Sequence, residues 1–211
     1  MLRWLVMHEQ NTQSSFDFAS RTMHPKSSRF GKETLFFAIL PDPEARQACL
    51  EIQARLQREH DGLLSPLSPE RLHVSLYGVA SAEKIKEEMI FAACQAASAV
   101  DACRFDLSFD HVATFRTASR NAIVLSGNGG RELLRQLHVQ IGIEMYAIGC
   151  DPHVKADFQP HATLFYADET VAKTVLAAPV VVPAREFVLL HKRPGEQAYE
   201  HIASWPLSER G

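Results

Sequence analysis

From residue 34 onward, apolar and polar positions fall into short periodic blocks. Thr34 to Leu40 is a continuous apolar run, the pattern of a strand buried on both faces. Asp42-Pro43 then offers an N-cap with proline at the first helical position, and Ala45, Cys49, Ile52 and Leu56 recur at spacings of three and four. This predicts a helix closed by Asp61-Gly62. A loop with two prolines, Leu64 to Glu70, delivers the chain into a strand from Arg71 to Gly78. Ser81 is placed to cap a second helix with the stripe Ile85, Met89, Ala92 and Ala96. Phe105, Leu107 and Phe109 alternate with Asp106, Ser108 and Asp110, so that strand has one wet face, and Ala122 to Ser126 is its partner. A third helix over Gly130 to Ile148 buries Leu134, Leu137, Ile141, Met145 and Ile148. Strands from Pro160 to Tyr166, Glu186 to His191 and Ala198 to Trp205 follow, the last two joined through Arg193-Pro194-Gly195. Several strands abut with no helix between them, so the pattern fits an α+β fold with antiparallel sheets better than a doubly wound parallel one.

One phrase occurs in two of these strands: His73-Val74-Ser75-Leu76 and His161-Ala162-Thr163-Leu164, each followed by an aromatic, Tyr77 or Phe165. On a strand, residues two apart share a face, so each copy sets an imidazole beside a hydroxyl while Val74 and Leu76, or Ala162 and Leu164, point away. Two such strands facing one cleft would bring two imidazoles and two hydroxyls to one phosphorus centre. Imidazole titrates near neutrality, so one ring can take a proton from water while the other gives one to a departing oxygen. Ser75 and Thr163 would donate to the non-bridging oxygens, where charge gathers in the transition state.

Composition narrows this only a little. With 211 residues and 46% hydrophobic content, the chain can bury a full core. A net charge of -3, from 22 basic and 25 acidic residues, excludes a broad basic surface for a long duplex, so nucleic-acid contact is expected only at an end or a single nucleotide. Cys49, Cys94, Cys103 and Cys150 show neither metal-site nor disulfide spacing, which points to reduced thiols, a cytoplasmic setting and no structural metal. No apolar run reaches membrane length, and Met1 to Met7 lacks a signal-peptide pattern. Residues 8 to 32 are polar and unpatterned, and residues 1 to 32 read as a flexible extension ahead of a single domain from 33 to 211. Gly127-Asn128-Gly129-Gly130 lacks the lysine of a phosphate loop and the spacing of a dinucleotide fingerprint, and reads as a turn.

The motif pair 88 residues apart, the opening Leu35-Phe36-Phe37-Ala38-Ile39 run and the Trp205-Pro206-Leu207 tail resemble the two-histidine (2H) phosphoesterase superfamily. Within it they are most similar to the LigT-like RNA 2',3'-cyclic phosphodiesterases, also labelled 2'-5' RNA ligases. The resemblance covers about residues 33 to 208. It implies a bilobal fold whose pseudo-symmetric lobes each offer one motif strand to a central cleft, with helices outside. It further implies opening of an RNA or nucleotide 2',3'-cyclic phosphate to a 2'-phosphate, without metal or other cofactor, by a monomer. His161 is then the water-activating base and His73 the acid to the leaving oxygen.

One position departs from that pattern. Three residues after the second motif's hydroxyl, where many LigT-like proteins carry arginine, this chain has Tyr166, which can donate a hydrogen bond or stack but carries no charge. Arg116, Arg120 and Lys192 are candidate substitutes, and Phe115 is a candidate for stacking on a base. His60 and His138 read as surface residues on helices, His153 as a loop residue, and His191 and His201 as strand residues near the cleft. Three functions stay open: a cyclic phosphodiesterase, a 2'-5' oligonucleotide phosphodiesterase or ligase, and an RNA-end binding protein of the same fold with little turnover.

Overall fold

Asp42 behaves as its position predicts: its carboxylate accepts the Ala45 N–H at 2.8 Å, and Pro43 opens helix α1 (Pro43–Glu59) directly after strand β1 (Glu33–Ile39). The computed structural model describes residues 31–60, 65–117, 120–150 and 158–209, so the predicted extension up to residue 30, the Asp61-Gly62 stop and His153 lie outside the described residues. Strand β2 (Ser65–Pro66) and a 3-10 turn (Pro69–Arg71) lead into β3 (Val74–Ala82), which carries the first motif. Next come α2 (Glu87–Ser98), β4 (Phe105–Phe115), β5 (Asn121–Ser126) and α3 (Arg131–Ala147). The second motif strand, β6 (His161–Ala167), is followed by β7 (Thr174–Ala184), β8 (Glu186–Lys192) and β9 (Glu200–Pro206).

The described strands form one antiparallel sheet in the order β7-β4-β5-β6-β3-β1-β8-β9, with β2 on β6. Its two halves mirror each other. In one, β1-α1-β3 ends on the first motif strand; in the other, β5-α3-β6 ends on the second, and in both the opening strand pairs with the motif strand. The halves meet at a single β3–β6 pairing, Val74 with Ala162, which are the same position of the two motif copies. The local two-fold of an antiparallel pair therefore exchanges His73 with His161 and Ser75 with Thr163.

Both motif strands are bulged at the same place. The β1–β3 register passes from Ser75 to Tyr77 and the β5–β6 register from Thr163 to Phe165, so each ladder skips the motif leucine, Leu76 or Leu164. An extra residue reverses the alternation, so leucine and the following aromatic both face the core: Leu76, Tyr77, Leu164 and Phe165 are all buried. The next residues, Gly78 and Tyr166, then return to the side of the histidines.

The main core packs Leu35, Phe37, Ile39, Leu76, Leu107, Leu137 and Leu164 between sheet and helices, while Phe36, Ala38, Val188 and Leu190 cluster apart from it, so β1 is buried on both faces as its apolar run predicts. Gly130 holds φ 75° at the start of α3, and a Cβ there would meet the Asp106 carbonyl of β4, which is why the turn is glycine-rich.

Four expectations need correction. Ser81 lies inside β3, and α2 starts after Lys86, burying Ala93, Ala96 and Ala97. On α1 the buried position is Gln53, with Ile52 only half-buried, because the Gln53 amide finds carbonyl partners in the core. Ile148 is the exposed C-cap of α3. Strand β7 has no counterpart in the sequence reading; Pro179 and Pro183 disguise it, and both are tolerated because β7 is an edge strand.

Candidate active site

His73 sits just ahead of β3 and His161 opens β6, and the two rings line the same cavity of about 250 Å³ with Ser75, Thr163, Tyr166, Lys192 and Tyr199. Extending the Val74–Ala162 register by one residue sets His73 opposite Thr163 and Ser75 opposite His161. The two histidines are then diagonal neighbours, on the order of 7–8 Å apart at the backbone, a gap that one phosphate can fill.

Each ring is held the same way. His73 Nδ1 lies 2.8 Å from the Arg71 carbonyl and His161 Nδ1 lies 2.9 Å from the Gln159 carbonyl, in both cases two residues upstream. A carbonyl can only accept, so Nδ1 carries the proton and Nε2 is the basic atom of each neutral ring. On His73 that atom receives the Ser75 hydroxyl at 3.1 Å. An aromatic ring braces each imidazole: Phe36 with centroids 5.2 Å from His73, and Phe115 with centroids 5.0 Å from His161. Tyr199 meets His73 edge-on at 5.4 Å.

Burial holds His73 well below its ordinary 6.5, at about 4, with His161, Arg71 and Lys192 adding repulsion and the Arg71 carbonyl opposing. His161 is lowered by the same loss of solvent, with the Gln159 carbonyl opposing. Both rings are therefore neutral near pH 7 in the unliganded protein. Between pH 6.5 and about 4 the unfolded chain binds a proton at His73 that the fold refuses, so this group makes stability fall as pH falls through that window. A series of thermal melts is expected to show this decline, and His73→Asn to reduce its slope; an unchanged slope would place the proton-linked loss elsewhere.

The cations are arranged unequally. Lys192, at the end of β8, lines the cavity, and Arg71 ends the 3-10 turn with Nη2 3.4 Å from the Tyr199 hydroxyl and its guanidinium 5.2 Å from that ring's centroid. Neither makes an ion pair among the described residues, and loss of solvent, with Arg71 repulsion second, lowers the Lys192 ammonium. Tyr166 is on the same wall. Burial raises its phenol, Tyr199 adds to this, and a Thr163 hydrogen bond and Arg71 oppose it. Behind this wall, buried His191 joins Glu33 at 3.0 Å and lies 3.5 Å from Glu200, while Arg193 meets Glu200 at 2.6 Å. This cluster ties β1, β8 and β9 together beside Thr34, Lys192 and Tyr199.

The structure thus gathers His73, Ser75, His161, Thr163, Tyr166 and Lys192 and brings Phe115 against His161. It does not bring in Arg116, which is exposed and outside the lining, or Arg120, which is exposed and pairs with Asp168 at 3.4 Å. Arg71, Phe36, Thr34 and Tyr199 are the residues that sequence reasoning missed; Arg71 could have been found as the cation two residues before the first motif histidine. His138, read from sequence as a surface residue, is instead buried, and His201 is exposed. Among the described residues, no three His, Cys, Asp or Glu side chains gather as a metal site, and no helix is long and apolar enough to cross a membrane.

Comparison with known proteins gives this arrangement a lineage. The sequence profile of the 2'-5' RNA ligase superfamily matches residues 41–193, and the chain belongs to that superfamily. Its fold is that of Escherichia coli LigT: the apo crystal structure superposes with a TM-score of 0.68 at 20% identity, over 85% of this chain and 99% of LigT. LigT complexed with 3'-AMP matches equally well, with a TM-score of 0.68 at 22% identity over 84% of this chain and 99% of that one. The protein TT0787 of Thermus thermophilus gives 0.67 at 18% identity, over 84% of this chain and all of that one (100%). No curated protein matches the sequence.

Proposed function

We propose that this chain is a phosphodiesterase that opens a 2',3'-cyclic phosphate on an RNA end or nucleotide to a 2'-phosphate by two-histidine acid-base chemistry. The observation that carries the reading is the cavity where both motif imidazoles meet, each fixed through Nδ1 with the basic Nε2 as its other ring atom. Superfamily membership supports phosphodiester chemistry, and the complex of the similarly folded LigT with 3'-AMP supports a nucleotide as the ligand.

In the proposed step His161 Nε2 takes a proton from water as the water oxygen bonds to phosphorus. The bond from phosphorus to the ribose 3' oxygen breaks, and protonated His73 supplies that oxygen with its proton. Both rings rest neutral, so the His73 proton arrives with the substrate, whose negative charge offsets the burial that otherwise keeps the ring neutral. Afterwards His161 holds a proton and His73 lacks one, and exchange with solvent resets the pair. Ser75 and Thr163 donate to the non-bridging oxygens, and Lys192 on the cavity wall, with Arg71 beside it against the lining Tyr199, supplies the charge that Tyr166 does not. Tyr199 and Phe115 offer ring surfaces to a base.

The superfamily's label favours one second reading, hydrolysis or formation of a 2'-5' linkage, in which the two histidines exchange roles for the reverse direction. One assay separates the readings. Protein treated with EDTA is incubated with a nucleoside 2',3'-cyclic phosphate and, separately, with a 2'-5' linked adenylate oligomer, and the products are separated by isomer. The expected result is the 2'-monophosphate from the first substrate at a rate EDTA does not change. The 3' isomer, or turnover of the oligomer alone, contradicts it; binding without turnover indicates an RNA-end binding protein.

A further inference from the structure

Each motif leucine is skipped by its ladder, the β1–β3 ladder skipping Val79 as well, and a skipped residue has no opposite number on that ladder. In each motif strand a buried side chain from a helix meets the leucine's carbonyl. His138 of α3, 2% exposed, donates from Nδ1 to the Leu76 carbonyl at 2.8 Å, its ring stacked on Phe158 with centroids 4.9 Å apart. Gln53 of α1, 3% exposed, donates from Nε2 to the Leu164 carbonyl at 2.8 Å and to the Leu67 carbonyl at 3.0 Å. The Leu67 N–H adds a second bond to Leu164 O at 2.8 Å. The partnership is crossed: α1 leads along the chain to the first motif strand yet holds the second, while α3 leads to the second yet holds the first.

We propose that His138 and Gln53 are positioning residues, each fixing the bulge that aims one motif histidine into the shared cavity: His138 acts on His73, and Gln53 on His161. The proposal rests on the two-histidine reading above. Two residues of different type on different helices meet the same carbonyl of a repeated motif, which a general packing role does not require. Without its donor the Leu76 carbonyl loses its helix bond and the Leu164 carbonyl keeps only the Leu67 N–H, so either strand can be drawn toward regular pairing, and a one-residue change of register turns side chains to the other face. The histidine is three residues from the bulge, so its ring moves with that choice.

His138→Phe and Gln53→Met keep side-chain bulk and remove the donor, and His138→Gln restores one. The Cε1–H NMR signals of His73 and His161, assigned with His73→Asn and His161→Asn, are followed across pH at a temperature where circular dichroism shows each variant folded. His138→Phe is expected to move the His73 signal and its titration midpoint and leave His161 in place. Gln53→Met is expected to do the reverse, and His138→Gln to return His73 to its wild-type position. On a nucleoside 2',3'-cyclic phosphate, kcat is expected to fall about tenfold or more in both donor-free variants, as for a misplaced reacting group, with KM changed by less than about twofold. Both imidazoles moving alike in both variants, or neither moving, overturns the proposal. A wild-type protein with no turnover instead overturns the proposed function, and the NMR result still stands alone. If His138→Phe does not fold, Gln53→Met tests the crossed pattern by itself.

Discussion

His73→Ala and His161→Ala are each expected to lower kcat by at least about a hundredfold, the effect usual for a positioned acid-base group. The fold should survive, because both rings line the cavity rather than the packed core, and each substitution releases one local hydrogen bond to a carbonyl two residues upstream. The pH profile adds a sharper result. A base fails when protonated, so losing His161 should flatten the acidic limb of kcat; an acid fails when deprotonated, so losing His73 should flatten the alkaline limb. Product formation across pH, with circular dichroism on each variant, checks both. Wild-type turnover in either variant contradicts the proposed chemistry.

Arg71→Ala is expected to lower kcat/KM by about tenfold to a hundredfold, less than the loss of a donor placed directly on developing charge. The case rests on how few cations face the cavity. Tyr166 brings none, Arg116 is exposed outside the lining, Arg120 pairs with Asp168, and Lys192 is the lining cation, with Arg71 held next to the cavity by its contact with the lining Tyr199. Arg71 also packs on Tyr199, so loss of packing has to be separated from loss of charge. Tyr166→Arg does this, because it adds a guanidinium to the same wall without restoring the Tyr199 contact. The double variant Arg71→Ala/Tyr166→Arg is expected to recover most of the lost kcat/KM, and failure to recover would assign Arg71 a packing role. Salt should weaken substrate binding less in Arg71→Ala than in wild type.

What the sequence made legible was whatever local periodicity controls. His73 with Ser75, and His161 with Thr163, could be set on common faces from their spacing, and the two copies could be brought together only by resemblance, since no local rule joins β3 to β6. The bulges were written in the chain as a break in alternation: Leu76-Tyr77 and Leu164-Phe165 are apolar doublets where a regular strand would change face. Long-range polar pairing was the part that stayed hidden. Gln53 and His138 look like ordinary helix-surface residues until the carbonyls they meet, 111 and 62 residues away in the chain, are in place. Arg71 was overlooked for a related reason: its carbonyl serves His73, while its guanidinium depends on Tyr199 from the last strand. Phe115 reached His161 across β5, a contact that depends on sheet order rather than pattern.

The most direct measurement is a crystal structure of the protein with a nucleoside 2'-monophosphate. Phosphate oxygens should lie within about 2.6–3.2 Å of Nε2 on both His73 and His161, the reach of proton transfer, with Ser75 and Thr163 donating to the remaining oxygens. A phosphate that reaches one imidazole only, or settles outside the cavity between β3 and β6, would contradict the account.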